Sequence, residues 1–221
     1  MTKQPPHIRR LNYERVPNAI YKQSFATVTR EANLGRFPQD LQAVVTRLIH
    51  ACGMVEIADR ISFSGDAGQA GREALLAGAP ILCDCEMVGA GIIRRYLPKD
   101  NRVIVTLNEA GVPDLAKQIE NTRSAAAVEL WKDHLDGAVV AIGNAPTALF
   151  HLLELLDAGY PKPACILGFP VGFVGAAESK AELANDPRDC NFITLRGRKG
   201  GSAVASAAVN ALAAGLIEIQ Q

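Results

Sequence analysis

Between Leu41 and Cys52 the apolar residues fall at Leu41, Val44, Val45, Leu48, Ile49 and Cys52. That is the i, i+3, i+4, i+7 spacing of an amphipathic helix. Pro38 stands where a first turn tolerates it, and Gly53 where helices stop. His50 interrupts the pattern. At about 100° per residue it points roughly 160° from the centre of the apolar stripe, so it is not placed to be a core histidine of that face. It also lies in the last turn, where the helix dipole favours a protonated imidazole. A plain surface histidine is the bland alternative for such a position.

Upstream, residues 18–32 read as a helix with Ile20, Phe25 and Val28 apolar, followed by a loop at Gly35. Downstream the pattern alternates. Short apolar runs at 61–64, 80–83, 102–107, 138–142, 165–167 and 192–195 predict strands. Between them the spacing predicts helices over 67–77, 86–96, one or two over 112–135, then 146–157, 176–184 and 202–214. Unbroken apolar strands between helices are what a parallel sheet covered on both faces requires. The expected fold is therefore α/β and doubly wound, a mostly parallel five- to six-stranded sheet with helices on both faces. Residues 18–221 are read as one domain behind an irregular segment, 1–17, broken by Pro5, Pro6 and Pro17. The tail, 217–221, is expected to fray.

Composition narrows the function classes. A chain of 221 residues can bury a sizeable core without a staple. Its 23 basic and 23 acidic residues give no general attraction to nucleic acid or to an anionic membrane. Aromatic residues at 5% also argue against base-stacking platforms. The cysteines are Cys52, Cys83, Cys85, Cys165 and Cys190, without a Cys-x-x-Cys pair, which predicts free thiols and no metal site. The start lacks the apolar region of a secretory signal, and no run is long enough to span a bilayer. The expected location is cytoplasmic.

In a doubly wound sheet, ligands bind where strands end and helices begin. Three such loops are rich in glycine: Gly143-Asn-Ala-Pro-Thr, Gly168-Phe-Pro-Val-Gly-Phe-Val-Gly, and the stretch from Arg196 to Ser202. Glycines let backbone approach a ligand, and helix N-termini offer N–H groups to an anion. An anion-tolerant rim is the functional reading, and tight turns are the bland one. Asn144 and Thr147 are the polar side chains of the first loop. Arg123, flanked by Thr122 and Ser124, is placed to clamp a carboxylate or to serve as a solvated helix charge. Asp84 and Glu86 are read as caps of the helix that follows them. His134 and His151 show no partner in the sequence and are read as structural. None of the loops is a dinucleotide or phosphate-loop fingerprint, and no Gly-x-Ser-x-Gly nucleophile elbow occurs.

Six strings then occur in register: Asn18-Ala-Ile-Tyr-Lys-Gln-Ser-Phe, Ile49-His-Ala-Cys-Gly, Gly78-Ala-Pro-Ile-Leu-Cys-Asp, Asn121-Thr-Arg-Ser-Ala-Ala-Ala, Gly143-Asn-Ala-Pro-Thr-Ala-Leu and Gly172-Phe-Val-Gly-Ala-Ala-Glu-Ser-Lys. Together, over residues 18–214, they resemble the precorrin-8X methylmutase (precorrin isomerase) family of cobalamin biosynthesis. The resemblance implies an α/β homodimer with its site near the subunit interface and no redox or nucleotide cofactor. It implies a methyl migration from C-11 to C-12 of a tetrapyrrole (precorrin) substrate, giving hydrogenobyrinic acid. It places the proton donor and acceptor at His50 and substrate contacts at Ser24 and Arg123. The extra residues before Tyr13 and the Arg-Lys-Gly chemistry near Arg198 fall outside the matched strings.

The bottom-up reading agrees with these implications. A flat polyanion suits a wide rim rather than a narrow slot, and protonating a ring nitrogen is general-acid work for an imidazole. Two other readings of the same family scaffold remain open, a cobalt-precorrin-8 methylmutase giving cobyrinic acid and a non-catalytic corrinoid carrier. A nucleotide-dependent oxidoreductase rests on fold analogy alone.

Overall fold

A computed structural model describes residues 10–214 of the chain. The tail expected to fray lies outside them. One sheet of six strands is formed by β1 (Ile61–Phe63), β2 (Ile81–Cys83), β3 (Val103–Val105), β4 (Val139–Ile142), β5 (Cys165–Gly168) and β6 (Phe192–Leu195). The strand order is β1-β6-β5-β4-β2-β3. Every neighbouring pair is parallel except β1 with β6, which run antiparallel. From β2 the chain goes outward to β3, then returns to the other side of β2 for β4, β5 and β6. The reversal lies between β2 and β4, and it is there that loops leave the sheet in opposite directions.

The helices are α1 (Pro17–Glu31), α2 (Gln39–Cys52), α3 (Ala67–Ala77), α4 (Glu86–Gly91), α5 (Val112–Gln118), α6 (Arg123–Glu129), α7 (Pro146–Asp157), α8 (Ala176–Asn185) and α9 (Ser202–Ala214). The period-2 pattern of the central strands divides the core. Val139 and Ala141 of β4, Cys165 and Leu167 of β5 and Ile193 of β6 pack with α2, α3 and α9. Val140, Ile142, Ile166 and Phe192 pack on the opposite side with α7, Leu183 of α8 and Trp131. Both faces are covered, which is why these strands read as continuous apolar runs.

Two departures from the periodicity, and the division of the segment over 112–135 where one or two helices were expected, have physical causes. The segment expected as one helix over 86–96 breaks after Gly91, with Ile92 and Ile93 extended and a 3-10 turn over Arg94–Tyr96. Asn210 of α9 stabilises the break: its Oδ1 accepts from Ile93 N–H at 2.8 Å, and its Nδ2 donates to the Gly91 carbonyl at 3.0 Å. The segment over 112–135 is two helices and a 3-10 turn, because Glu120 takes a positive φ of 51° and Thr122 caps α6 by accepting from Ala125 N–H. A 3-10 helix over Val55–Arg60, with no periodic signal, fills the connection to β1.

Candidate active site around His50

The helix that carries His50 buries seven residues, among them Leu41, Val44, Val45, Leu48 and Ile49 of its apolar stripe, and is closed by Gly53 in the left-handed region. This leaves the His50 ring exposed on the opposite side, as the helical arithmetic predicts. There it meets α1. Tyr21 stacks on the imidazole with centroids 5.4 Å apart, and Phe25 meets it edge-on at 5.4 Å. Ser24 Oγ lies 2.7 Å from His50 Nδ1. Positions 21, 24 and 25, together with the buried Val28, form one i, i+3, i+4, i+7 face of α1. The face that meets His50 thus runs through Tyr21, which stacks on the ring, rather than through Ile20.

The electrostatics of His50 differ from the expectation. Partial burial lowers the imidazole below its ordinary value, and the Arg47 guanidinium one turn earlier lowers it further. These two effects outweigh the last-turn dipole, which alone would raise it. The ring is therefore the more acidic when protonated.

The ring lines two cavities, and a third adjoins them; the one beside Ser24 and Glu31 holds about 490 Å³. Another, of about 400 Å³, is bounded by His50 and Ala51 of α2, Met87 of α4 and Ala203, Ser206 and Asn210 of α9. A larger cavity, of about 750 Å³, shares Tyr21 and Arg47 with it and extends over Lys22, Phe25, Arg95 and Tyr96. No acidic residue lines the larger cavity among the described residues.

The other sequence candidates gather at the carboxyl ends of β2, β3 and β4. Thr122 caps α6, and its hydroxyl lies 2.8 Å from that of Thr147 in the first turn of α7. Arg123, at the start of α6, donates to the Leu107 carbonyl at 3.3 Å and to Asn108 Oδ1 at 3.1 Å. Asn108 in turn donates to Glu86 of α4 at 3.4 Å. Asn144 is exposed beside Thr147. This group and the His50 cavity meet different residues of α4, Glu86 bonding Asn108 and Met87 lining the His50 cavity. None of the three cavities includes Arg123.

Asp84 is not a helix cap. It is 2% exposed, and its carboxylate accepts from the N–H groups of Gly143, Asn144 and Ala145 at 2.9, 2.8 and 2.8 Å. Burial pushes its carboxyl up, against the three N–H donors that favour the ionised form. The anion site expected at the Gly143 loop is therefore filled from within, across the reversal point between β2 and β4. Gly143 is glycine because a Cβ there would lie 2.8 Å from the Ser202 backbone of α9.

The other glycine-rich loops also bond to each other. Gly172 N–H donates to the Arg198 carbonyl at 3.2 Å, Gly201 N–H to that of Phe169 at 2.8 Å, and buried Lys180 to that of Lys199 at 2.6 Å. The broad rim of free N–H groups is thus narrower than the loops suggest, while Phe173 and Val174 stand 85% and 88% exposed at its tip.

His151, expected to lack a partner, bridges Glu129 at 2.8 Å and Glu154 at 3.0 Å. All five cysteines are free thiols, and among the described residues no group of three or more His, Cys, Asp or Glu is placed to hold a metal ion. No helix of these residues is long and apolar enough to cross a membrane. Sequence reasoning missed Tyr21, Arg47 and Arg95. Arg47 was within reach of it, since three residues before His50 is the same side of the same helix. Arg95 was not, because only the break of α4 aims its turn at α1.

Comparison with known proteins places the chain among relatives. The family model described as precorrin-8X methylmutase matches residues 19–215. A precorrin-8X methylmutase of Pseudomonas aeruginosa is 63% identical over 203 residues, 92% of this chain and 98% of the relative. One of Sinorhizobium sp is 55% identical over 91% of this chain and 96% of its own. A cobalt-precorrin-8 methylmutase of Priestia megaterium is 39% identical over 89% and 87% of the two chains. Among solved structures, a precorrin-8x methyl mutase of Thermus thermophilus superposes with a TM-score of 0.77 at 39% identity, covering 88% of this chain and 96% of that one.

Proposed function

The chain belongs to the precorrin-8X methylmutase family and is an isomerase of cobalamin biosynthesis; from that premise we propose that it moves a methyl group from C-11 to C-12 of metal-free precorrin-8X, giving hydrogenobyrinic acid, with His50 as proton donor and acceptor. The single observation that carries the assignment of His50 is its setting: an exposed imidazole framed by Tyr21, Ser24 and Phe25 and lining two cavities.

The chemistry follows from that setting. Protonated His50 gives the proton on Nε2 to a ring nitrogen of the substrate, which draws electron density from the macrocycle and eases migration of the methyl group across one face. The neutral ring left behind keeps its proton on Nδ1, where Ser24 Oγ accepts it in a hydrogen bond. When the methyl group has arrived, Nε2 takes the proton back. Substrate and product are isomers, so atoms and electrons balance without an oxidant or reductant. The depressed imidazole is a better acid for the first step than an unperturbed one.

Thr122, Arg123, Asn144 and Thr147 are assigned to the substrate's periphery. Arg123 is the cation of that group and presents a planar fork suited to carboxylates. A homodimer with its site near the interface is part of the proposal, and the exposed Met87, Phe173 and Val174 support it as apolar surface near the site or its rim. A sedimentation mass of 23.6 kDa at working concentration would count against the dimer. The metal-free substrate is favoured over its cobalt counterpart because the relatives at 63% and 55% identity bear the precorrin-8X name, against 39% for the cobalt-precorrin-8 relative. A cytoplasmic location fits a biosynthetic enzyme with five free thiols.

The test is an absorbance titration and turnover assay with precorrin-8X, comparing wild type with His50→Ala. The expected result is conversion by wild type and binding without conversion by the variant. Conversion of cobalt-precorrin-8 alone would reassign the metal state. Binding of either tetrapyrrole with no conversion by wild type would favour the corrinoid carrier.

A further inference from the structure

We propose that the reacting edge of the macrocycle seats in the cavity of about 400 Å³ between α2, α4 and α9, with Met87, Ala203 and Ala207 as the positioning residues that fix its distance from Nε2 of His50. The proposal rests on the tetrapyrrole reading given above.

The two nitrogens of His50 divide the two cavities that the ring lines. Nδ1 lies 2.7 Å from Ser24 Oγ, and Ser24 lines the cavity of about 490 Å³. It does not line the cavity of about 400 Å³. The nitrogens of an imidazole point in diverging directions, so Nε2, the one that Ser24 does not engage, is left to the second cavity.

The wall across from His50 is apolar. Nine of the 13 residues of α9 are buried, but Ala203 is exposed and Ala207 half-buried one turn later, and both line the cavity with Ala51 of α2. The polar groups of that wall bond within the protein. Ser206 Oγ donates to the Ala203 carbonyl at 3.2 Å, and both ends of the Asn210 amide are taken by Ile93 and Gly91. The wall therefore offers a ligand mainly methyl groups.

Met87 stands at the rim of the same cavity, a large apolar side chain left 73% exposed. A ligand face laid against it removes that surface from water, and an unbranched thioether adapts to an irregular shape. A tetrapyrrole has flat carbon faces and carries its carboxylates on the periphery. The cavity has the size of a small-ligand site, which suits one edge of a macrocycle rather than the whole.

The experiment uses the full chain, isotope-labelled at its methionine methyl groups, with hydrogenobyrinic acid as the probe. Binding is followed by NMR and absorbance. Precorrin-8X turnover, sedimentation mass and unfolding temperature are measured for wild type, Ala207→Leu, Met87→Ala and Met87→Leu. The Met87 methyl is expected to show cross-relaxation with ligand protons, and that of Met54, which lines none of the three cavities, to show none. Leucine nearly matches alanine in helix propensity, so Ala207→Leu narrows the cavity and keeps the helix. Moving the reacting edge by about 1 Å predicts a fall in kcat of about 100-fold. Affinity for hydrogenobyrinic acid should change by less than about threefold, since the carboxylates are held elsewhere. Met87→Ala is expected to weaken binding by about threefold to tenfold, and Met87→Leu to restore most of it.

Wild-type turnover without cross-relaxation at Met87 would overturn the placement and leave the isomerase standing, and no variant has to fold for that result. Unchanged kcat in Ala207→Leu would overturn it equally. A fall in kcat matched by a fall in unfolding temperature would make Ala207 structural and remove its positioning role. A lowered sedimentation mass in Met87→Ala, with no cross-relaxation in wild type, would give that side chain to a subunit interface and overturn its role here. Wild type that binds but does not convert would remove the isomerase reading, while cross-relaxation would still decide the cavity. Wild type that neither binds nor converts would remove both.

Discussion

At the scale of single residues, Ser24 and Asp84 make opposite uses of a short hydrogen bond. Ser24 touches the proposed acid itself, so Ser24→Ala removes the group that fixes which nitrogen keeps its proton. A hydrogen bond to a group that becomes charged is worth about 1.5–3 kcal/mol, so kcat is expected to fall about 10- to 100-fold with tetrapyrrole affinity little changed. Steady-state kinetics beside an absorbance titration separates the two. Asp84 acts on structure. Asp84→Asn turns one acceptor oxygen into an amine facing backbone N–H groups that have no other partner, and should cost about 3 kcal/mol of unfolding free energy. Chemical denaturation measures it, and a loss under about 1 kcal/mol would show that the loop holds its shape unaided. His50 was legible in the sequence because helical spacing alone turns it off the core stripe. Asp84 was not, since its partners are 59 to 61 residues away and only the strand order brings them together.

At the scale of elements, the placement of Arg47 one turn before His50 bears on the pH at which the imidazole holds its proton. Besides Arg47 on its own helix, the titratable groups of the two cavities that the ring lines are Tyr21 and Glu31 of α1, with the uncharged Met87, Ser206 and Asn210 of α4 and α9, and the adjoining larger cavity adds Lys22, Arg30 and Arg95. Arg47 is the charge that depresses the imidazole. A group that acts as an acid through a lowered pKa loses its proton, and its rate, at a lower pH. The alkaline limb of kcat/KM should therefore lie below the ordinary histidine value and move upward in Arg47→Gln, where the repelling charge is gone. A pH–rate profile unmoved by that substitution would remove Arg47 from the control of His50.

The second element-scale expectation concerns α1. It supplies the whole frame of the imidazole yet buries only Phe25 and Val28 of its 15 residues. Its amides should exchange with deuterium faster than those of α2, which buries seven, and bound tetrapyrrole should slow them. Equal protection in the apo protein would mean that something else covers α1. The helices and strands themselves were readable from periodicity, including their order. What periodicity could not supply was the break of α4, since residues 86–96 carry a helical pattern and the reason to stop lies in Asn210, more than a hundred residues later.

For the molecule as a whole, the buried Lys180 shows how the sheet's outer loops are held. It is 0% exposed, sits in α8, and reaches the Lys199 carbonyl of the loop before α9, while Gly172 bonds to Arg198 beside it. Burial lowers its pKa to about 8. The unfolded chain keeps an ordinary lysine near 10.4, so the unfolded state binds the extra proton between the two values. Below about pH 8 the lysine is charged in both states, and the full desolvation cost opposes folding; as pH rises from there to about 10.4 the cost is lifted, and stability due to this residue increases. Lys180→Met keeps the length and apolar stem but removes the charge. Against the loss of one hydrogen bond, it should gain about 1–2 kcal/mol at pH 7, with the gain lost as pH rises and turning into a loss of about 1 kcal/mol above about pH 10, where only the missing hydrogen bond counts. Denaturant unfolding of both proteins across that range measures the difference, from which the titrations of the buried cysteines common to both cancel. A variant less stable than wild type at pH 7 would mean that the tether between α8 and the loop before α9 outweighs the buried charge. In that case the tie across the sheet's carboxyl edge, rather than the core beneath it, fixes where the glycine-rich loops stand.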